Sequence, residues 1–219
     1  MTEFDISCPL CETHDVERFY RDSDRDYLLC NECALVFVPP VQFLSMDAER
    51  EHYGHHNNDP RDARYRKFLS RLADPMMRYL AIGSQGLDFG CGPGPTLSLM
   101  LAEQGYPTAI YDPAFQPCRE VWAKRYDFIT ASEVVEHLHR PRFELERLWS
   151  RLNNGGVLGI MTKRRFEVQS FADWHYKSDP THVIFFSDDT FRWIARWLGA
   201  EPMFVGPDVV LLRKDSVTQ

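Results

Sequence analysis

Gly86-Leu87-Asp88-Phe89-Gly90-Cys91-Gly92-Pro93-Gly94-Pro95 is the segment on which the architecture of this chain turns. A short apolar run ends in an acid and a cluster of glycines, and Leu97, Met100 and Leu101 then recur at helical spacing, so the segment reads as strand, glycine turn, helix. Glycine lets a backbone approach a ligand closely, and a helix N-terminus presents unpaired N–H groups to it. A dinucleotide fingerprint would run G-x-G-x-x-G, but here the third glycine falls at position 94, one residue early, and position 95 is proline. The spacing argues against a nicotinamide dinucleotide. Asp88 at the strand end would repel a pyrophosphate and welcome a cation, so the expected ligand carries positive charge.

Working outward, Tyr65, Phe68, Leu69, Leu72, Met76 and Leu80 follow helical periodicity up to about Gly83, the pattern of an amphipathic helix packed on a sheet. Thr108 to Asp112, Tyr126 to Ala131 and Leu152 to Ile160 read as further strands, with Glu201 to Val205 and Val209 to Leu212 as a terminal hairpin. Ser187, followed by two aspartates, opens a helix with the apolar face Phe191, Ile194, Ala195 and Leu198, and Gly199 stops it. The expected fold is α/β, with a doubly wound and mostly parallel sheet.

The acid followed by G-x-G-x-G closely resembles motif I of the class I S-adenosylmethionine (SAM) methyltransferases, and the likeness extends over about residues 60 to 213. In that family the second strand ends in an acid that grips the ribose hydroxyls, and Asp112, before Pro113, stands at that place. The resemblance implies that SAM is bound by Asp88, Phe89, Gly90, Cys91, Gly92, Gly94, Asp112, Pro113, Ser132 and Glu133. It also departs at one point. Asp127 lies only fourteen positions after Pro113, too few for helix, strand and helix, so the third strand and its adenine-reading residue are contracted or missing.

Ser132 to Leu138 reads as the opening of a helix after the Tyr126–Ala131 strand, and its E-x-x-E-H-L pattern resembles a branch that includes the ubiquinone-biosynthesis O-methyltransferases. Glu133, Glu136 and His137 would share one face of that helix, and His182 could reach the same place from the loop after the fifth strand. Similar segments in that branch and in plant small-RNA methyltransferases hold a metal, which implies a Mg²⁺-like divalent ion at Glu133, Glu136, His137 and His182. Two other readings stay open: His137 or His182 as a metal-free general base, and a purely structural hydrogen-bonded loop. The aromatics Phe166, Phe171, Trp174, His175 and Tyr176 either clasp a ring-shaped acceptor or cap the sheet. His52, His55 and His56 read as solvated residues of a connector containing a short helix around Met46 to Tyr53.

Near the N-terminus, Cys8-Pro9-Leu10-Cys11 and Cys30-Asn31-Glu32-Cys33 form two C-x2-C pairs with eighteen residues between them. This spacing predicts a tetrahedral four-thiolate zinc site with no open position, hence structural, in a ribbon whose strands are Val16 to Tyr20 and Tyr27 to Leu29. Ribbons of this kind also precede some bacterial small-molecule and sugar methyltransferases. The chain then divides into a ribbon over 1–40, a linker over 41–60 and a SAM-dependent domain over 61–219. Residues 1 to 40 carry three arginines against nine carboxylates, so the ribbon would repel phosphate, and it is expected to pack, form a homodimer or cover a substrate.

The whole chain is acidic, with a net charge of −7, which disfavours nucleic acid, and no apolar stretch approaches the length needed to span a bilayer. Its acidic start lacks a signal-peptide pattern, which places the expected protein in the reducing cytosol. The expected activity is methyl transfer from SAM to an oxygen or carbon of a small metabolite, such as a quinone precursor or a sugar. One rival is RNA methylation, supported by the ribbon and the stripe Arg61, Arg64, Arg66, Lys67 and Arg71. Another is a non-catalytic scaffold that retains SAM binding.

Overall fold

A computed structural model of the chain describes residues 6–54, 58–165 and 171–215. The N-terminal part opens with β1 (Val16–Arg21) and β2 (Asp26–Cys30), an antiparallel hairpin, followed by the short β3 (Val36–Phe37). After α1 (Met46–Gly54) and α2 (Ala63–Met77) come β4 (Gly86–Phe89), α3 (Thr96–Glu103), β5 (Thr108–Tyr111) and β6 (Tyr126–Ser132). The remainder comprises α4 (Pro141–Arg151), β7 (Leu152–Met161), β8 (Ile184–Phe185), α5 (Asp188–Leu198), β9 (Ala200–Val205) and β10 (Val209–Lys214).

Six strands form the large sheet in the order β5-β4-β6-β7-β10-β9. The first four are parallel, and β10 and β9 add as an antiparallel hairpin. Every residue of β4 is buried, as expected for a central strand covered on both faces. On one face Leu69, Leu72 and Met76 of α2 and Leu101 of α3 pack with Phe128, Val157 and Leu211. On the other, Leu145 and Leu148 of α4 and Phe191 and Ile194 of α5 pack with Ile129, Leu158 and Leu212. Burial of each such side chain contributes about 1.5–3 kcal/mol. The sheet ends at β5, and residues 112–125 hold only a single 3-10 turn, Arg119–Ala123, so the contraction inferred from the short spacing is real.

Local signals placed several boundaries correctly. Ser187 and Thr190 form a reciprocal capping box at the start of α5, and Gly199 ends it at φ +68°. Asp62 caps α2 by accepting from the N–H groups of Arg64 and Tyr65. That helix runs only two residues past Pro75, which cannot donate the intrahelical bond, so Leu80 joins the apolar cluster from a turn and not from the helix.

One expectation is corrected. Residues 132–138 do not open an α-helix: β6 continues to Ser132, Glu133 adopts φ +51°, and only the 3-10 turn Val135–His137 follows. Two backbone bonds draw the segment away from helical geometry. Glu133 N–H donates to Met161 at 2.7 Å, and the Glu136 carbonyl accepts from Val183 at 2.9 Å. Glu133, Glu136 and His137 therefore do not share a helical face.

The four cysteines sit on two equivalent knuckles. Each first cysteine accepts a backbone bond from the residue after the second, Glu12 or Ala34, and both of those residues have positive φ. β3 pairs with β8, so the ribbon sheet, β1-β2-β3-β8, takes its last strand from much later in the chain. Arg142 of α4 reaches the Leu10 carbonyl at 3.2 Å, and Arg165 reaches that of Ala34 at 2.7 Å. Phe171 packs edge-on against Phe19, Tyr20, Tyr27 and Phe185. Ribbon and large sheet thus share one continuous apolar cluster.

Candidate active site

The C-terminal ends of β4, β5 and β6 open on a cavity of about 600 Å³. Asp88, Phe89, Gly90, Cys91, Gly92, Gly94, Asp112, Pro113, Ser132 and Glu133 all line it, as do His137 and His182. Two glycines of the loop answer to the chain's own packing. Gly90 has φ +73°, and a Cβ there would lie 2.4 Å from Val134 Cγ2; at Gly94 it would lie 2.4 Å from the Asn58 carbonyl oxygen. The segment at Asn58 therefore closes against the loop, and Thr96 Oγ1 donates to the same carbonyl at 3.1 Å.

Asp112 serves two purposes. Its Oδ1 accepts from the N–H groups of Ala114 and Phe115 at 2.8 and 3.0 Å, closing the turn at Pro113, while Oδ2 accepts from Gly92 N–H at 3.0 Å and ties the glycine loop to the end of β5. Asp88 is only 3% exposed and accepts from Thr130 Oγ1 at 2.8 Å. Burial pushes its carboxyl up to about 7, and the nearby Asp112 charge acts in the same direction. Burial, with both aspartates adding to it, pushes the Cys91 thiol up to about 12.

His137 and His182 line the same cavity, and their ligand atoms and those of the fully buried Glu136 lie within 4.8 Å of one another. His137 Nδ1 contacts the Thr181 carbonyl at 3.1 Å and His182 Nδ1 that of Tyr176 at 2.6 Å, so in each ring Nδ1 carries the proton and Nε2 is the basic nitrogen. Glu133 stands outside this triad and is joined to it through Tyr176, whose hydroxyl donates to Glu136 and lies 3.4 Å from Glu133 Oε2. Burial pushes Glu136 up to about 7; burial and the Glu136 charge push Glu133 up to about 8. Burial, with His137 adding to it, lowers His182 to about 4. Ser132 Oγ, Glu133 Oε1 and Glu136 Oε2 are buried without a hydrogen-bond partner. Glu136 Oε2, orphaned and grouped with two imidazoles, gives a carboxylate–imidazole donor set that suits a divalent ion.

Of the ring side chains singled out above, Phe166 lies outside the described residues, and Phe171 and Trp174 seal the ribbon against the sheet. Among the described ones of that set only Tyr176 lines the cavity, and its place between the two glutamates is a role the sequence pattern did not single out. His52 is not simply solvated: it meets Asp179 at 3.4 Å, while Glu49 of the same helix meets His139 at 2.8 Å. His55 and His56 lie outside the described residues. In the basic stripe, Arg61 just before α2 and Arg66 and Arg71 on it are paired with Asp59, Glu103 and Asp208.

The cysteine sulfurs pair at 3.5 Å (Cys8 and Cys33) and 3.3 Å (Cys11 and Cys30), and all four lie within 4.8 Å. Tetrahedral zinc with Zn–S bonds near 2.3 Å requires sulfurs roughly 3.8 Å apart, so the set fits that ion with small adjustments. No helix among the described residues is long and apolar enough to cross a membrane.

No curated protein sequence matches the chain. Among solved structures it is similar to 1,6-didemethyltoxoflavin-N1-methyltransferase of Burkholderia thailandensis, determined with 1,6-didemethyltoxoflavin and S-adenosylhomocysteine bound, at 18% identity and TM-score 0.55, covering 91% of this chain and 99% of that one. It is also similar to an O-methyltransferase family protein of the same organism, at 16% identity and TM-score 0.52 over 78% of this chain, but spans only 64% of that chain. A SAM-dependent methyltransferase of Archaeoglobus fulgidus matches at 17% identity and TM-score 0.51, covering 78% of this chain and all of that one. At these identities the likeness is one of fold. The family profile described as a methyltransferase domain matches residues 53–202, well over half of the 219-residue chain. With the doubly wound sheet and the glycine loop at its switch point, that match makes the chain a member of the methyltransferase-domain family.

Proposed function

We propose that the chain transfers a methyl group from SAM to an oxygen or carbon of a small, ring-bearing metabolite, a hydroxylated quinone precursor or a sugar. The observation that supports this reading is the meeting of two half-sites in one cavity: Asp88, the glycine loop and Asp112 line it together with His137 and His182, and the buried Glu136 stands within ligand distance of those two histidines. Asp88, Phe89, Gly90, Cys91, Gly92 and Gly94 would hold the donor together with Asp112, Pro113, Ser132 and Glu133, Asp112 taking the ribose hydroxyls. SAM supplies an already activated sulfonium methyl, so the protein's task is to align the acceptor and take up its proton.

Glu136, His137 and His182 would hold a Mg²⁺-like divalent ion, which lowers the pKa of an acceptor hydroxyl and orients it. Glu133 supports that set through Tyr176. Tyr65, Phe68 and Leu138 supply apolar walls for the acceptor and Lys163 a cation. In this reading residues 1–40 are a zinc ribbon, 41–60 a linker and 61–219 the catalytic domain, and a reducing cytosol keeps the four thiols available to zinc. The pairing of three stripe arginines within the chain, and the overall negative charge, weigh against RNA.

Calorimetry on zinc-loaded protein should show SAM binding, and labelled SAM should pass its methyl into a component of a native metabolite extract. Transfer should be stimulated by added Mg²⁺ or Mn²⁺ and reduced at least tenfold in Glu136→Gln. Undetectable SAM binding would end the proposal.

The pH dependence of binding follows from Asp88. Its folded carboxyl is raised well above the ordinary range, so the stability it contributes is complete below about 4 and lost as pH rises through about 7. A cationic ligand reverses the preference. SAM binding should release a proton below about pH 7, where affinity should rise by up to about tenfold per unit and then level off as the free carboxyl is already ionised. Calorimetry in two buffers of different ionisation enthalpy counts that proton, and Asp88→Asn should abolish both the release and the pH dependence.

A further inference from the structure

The turn between β1 and β2 carries an arginine whose partners lie on the loop that bears His182. Arg25 Nη1 donates to the carbonyls of His182 at 2.9 Å and Pro180 at 3.3 Å, and Nη2 to those of Asp179 at 3.3 Å and Lys177. The turn that presents it is itself held. Asp22 Oδ1 accepts from the N–H groups of Asp24 and Arg25, and Oδ2 accepts from Tyr27 hydroxyl at 2.9 Å and from Lys177 Nζ at 3.2 Å. The Tyr27 ring lies 5.4 Å from the guanidinium.

The gripped loop has little regular structure, only the 3-10 turn His175–Ser178 before the chain enters β8. Four of its carbonyls converge on one planar cation, three of these contacts are shielded in part from solvent, and hydrogen bonds to a charged donor are the stronger kind, so the loop's path depends on that cation. Asp179 and His182 line the cavity from this same loop.

We propose that Arg25 is a positioning residue of the active site: by clamping the carbonyls of the 177–182 loop it sets His182 and Asp179 against the acceptor side of the cavity, so that the N-terminal ribbon completes the site. This rests on the reading of His182 as a site residue given above. Lysine should not replace it, because a flexible point charge cannot match the fixed fork of five donors.

The test uses full-length, zinc-loaded protein as wild type, Arg25→Ala, Arg25→Lys and His182→Ala. Loop position is read from the His182 imidazole resonances and from amide exchange over 177–183; function is read from SAM calorimetry and label transfer into the metabolite extract. Both Arg25 variants should keep their zinc and bind SAM within twofold of wild type. Both should shift the His182 signals, exchange the loop amides at least tenfold faster and transfer methyl at least tenfold more slowly. The lysine variant keeps the charge and, as the milder change, remains informative if the alanine variant fails to fold. Unchanged His182 signals and loop exchange in either folded Arg25 variant would overturn the proposal. Wild-type transfer by His182→Ala would instead refute the role assigned to that histidine, while the resonance and exchange data still decide the clamp.

Discussion

Replacing Cys30 by serine, or stripping the four-cysteine site with a strong chelator, is expected to remove the ribbon and methyl transfer together. A segment of this size cannot bury enough surface to fold alone, and a structural four-thiolate zinc supplies roughly 10 to 16 kcal/mol of apparent folding free energy. That is comparable with the roughly 5–15 kcal/mol that stabilises a whole domain. The loss would not stay local. Leu28, Tyr27 and Phe37 belong to the same apolar cluster as Phe171, Phe185 and Ile160, and β3 is the pairing partner of β8. Unfolding the ribbon therefore exposes β8 and releases the Arg25 clamp. The melting temperature should fall by more than about 10 °C, since about 1 kcal/mol moves a chain of this length by about 2–4 °C. Zinc release, followed by a chromogenic chelator, should track the loss of transfer. A zinc-free protein with unchanged melting and activity would show that these cysteines hold nothing.

The second large effect is expected at Asp112. Alanine there leaves the N–H groups of Gly92, Ala114 and Phe115 without their acceptor and removes the proposed ribose contacts. Hydrogen bonds to a charged group contribute about 1.5–3 kcal/mol each, so two lost to the ligand correspond to at least about a 100-fold loss of SAM affinity. The freed turn and glycine loop should add to the loss by leaving the pocket less organised. Global stability should fall much less, because the segment beyond β5 is at the sheet edge and core packing is untouched. Asp112→Asn, which retains an acceptor oxygen without the charge, should fall between wild type and alanine. An affinity within fivefold of wild type in the alanine variant would remove Asp112 from the donor site.

Much of this was readable along the chain because the chemistry is local. A C-x2-C knuckle needs a tight turn whose conformation is set within a few residues, and Glu12 and Ala34 adopt equivalent positive-φ conformations at both. The glycine loop announced itself by composition, and the ends of α5 by Ser187 and Gly199. The missing third strand was legible from distance alone, since fourteen residues cannot hold three elements.

What the chain's order could not disclose depends on contacts between distant segments. Helical spacing suggested that Glu133, Glu136 and His137 share a face, but backbone bonds from Glu133 to Met161 and from Val183 to Glu136 impose a left-handed residue and a 3-10 turn. Glu136 and His137 instead meet His182, which arrives from the later loop as expected, while Glu133 is left outside the group. Phe171 reads either as a pocket aromatic or as a cap on the sheet until β1 and β2 are seen against it, and nothing around Arg25 in the sequence points to the carbonyl of Pro180, 155 residues away, that meets it. Local pattern determined the strand, the loops and the knuckles, because torsional preference and spacing act over a few residues. Only the tertiary structure decided which acids are desolvated and which loop the ribbon grips, because burial and hydrogen-bond satisfaction belong to the assembled whole.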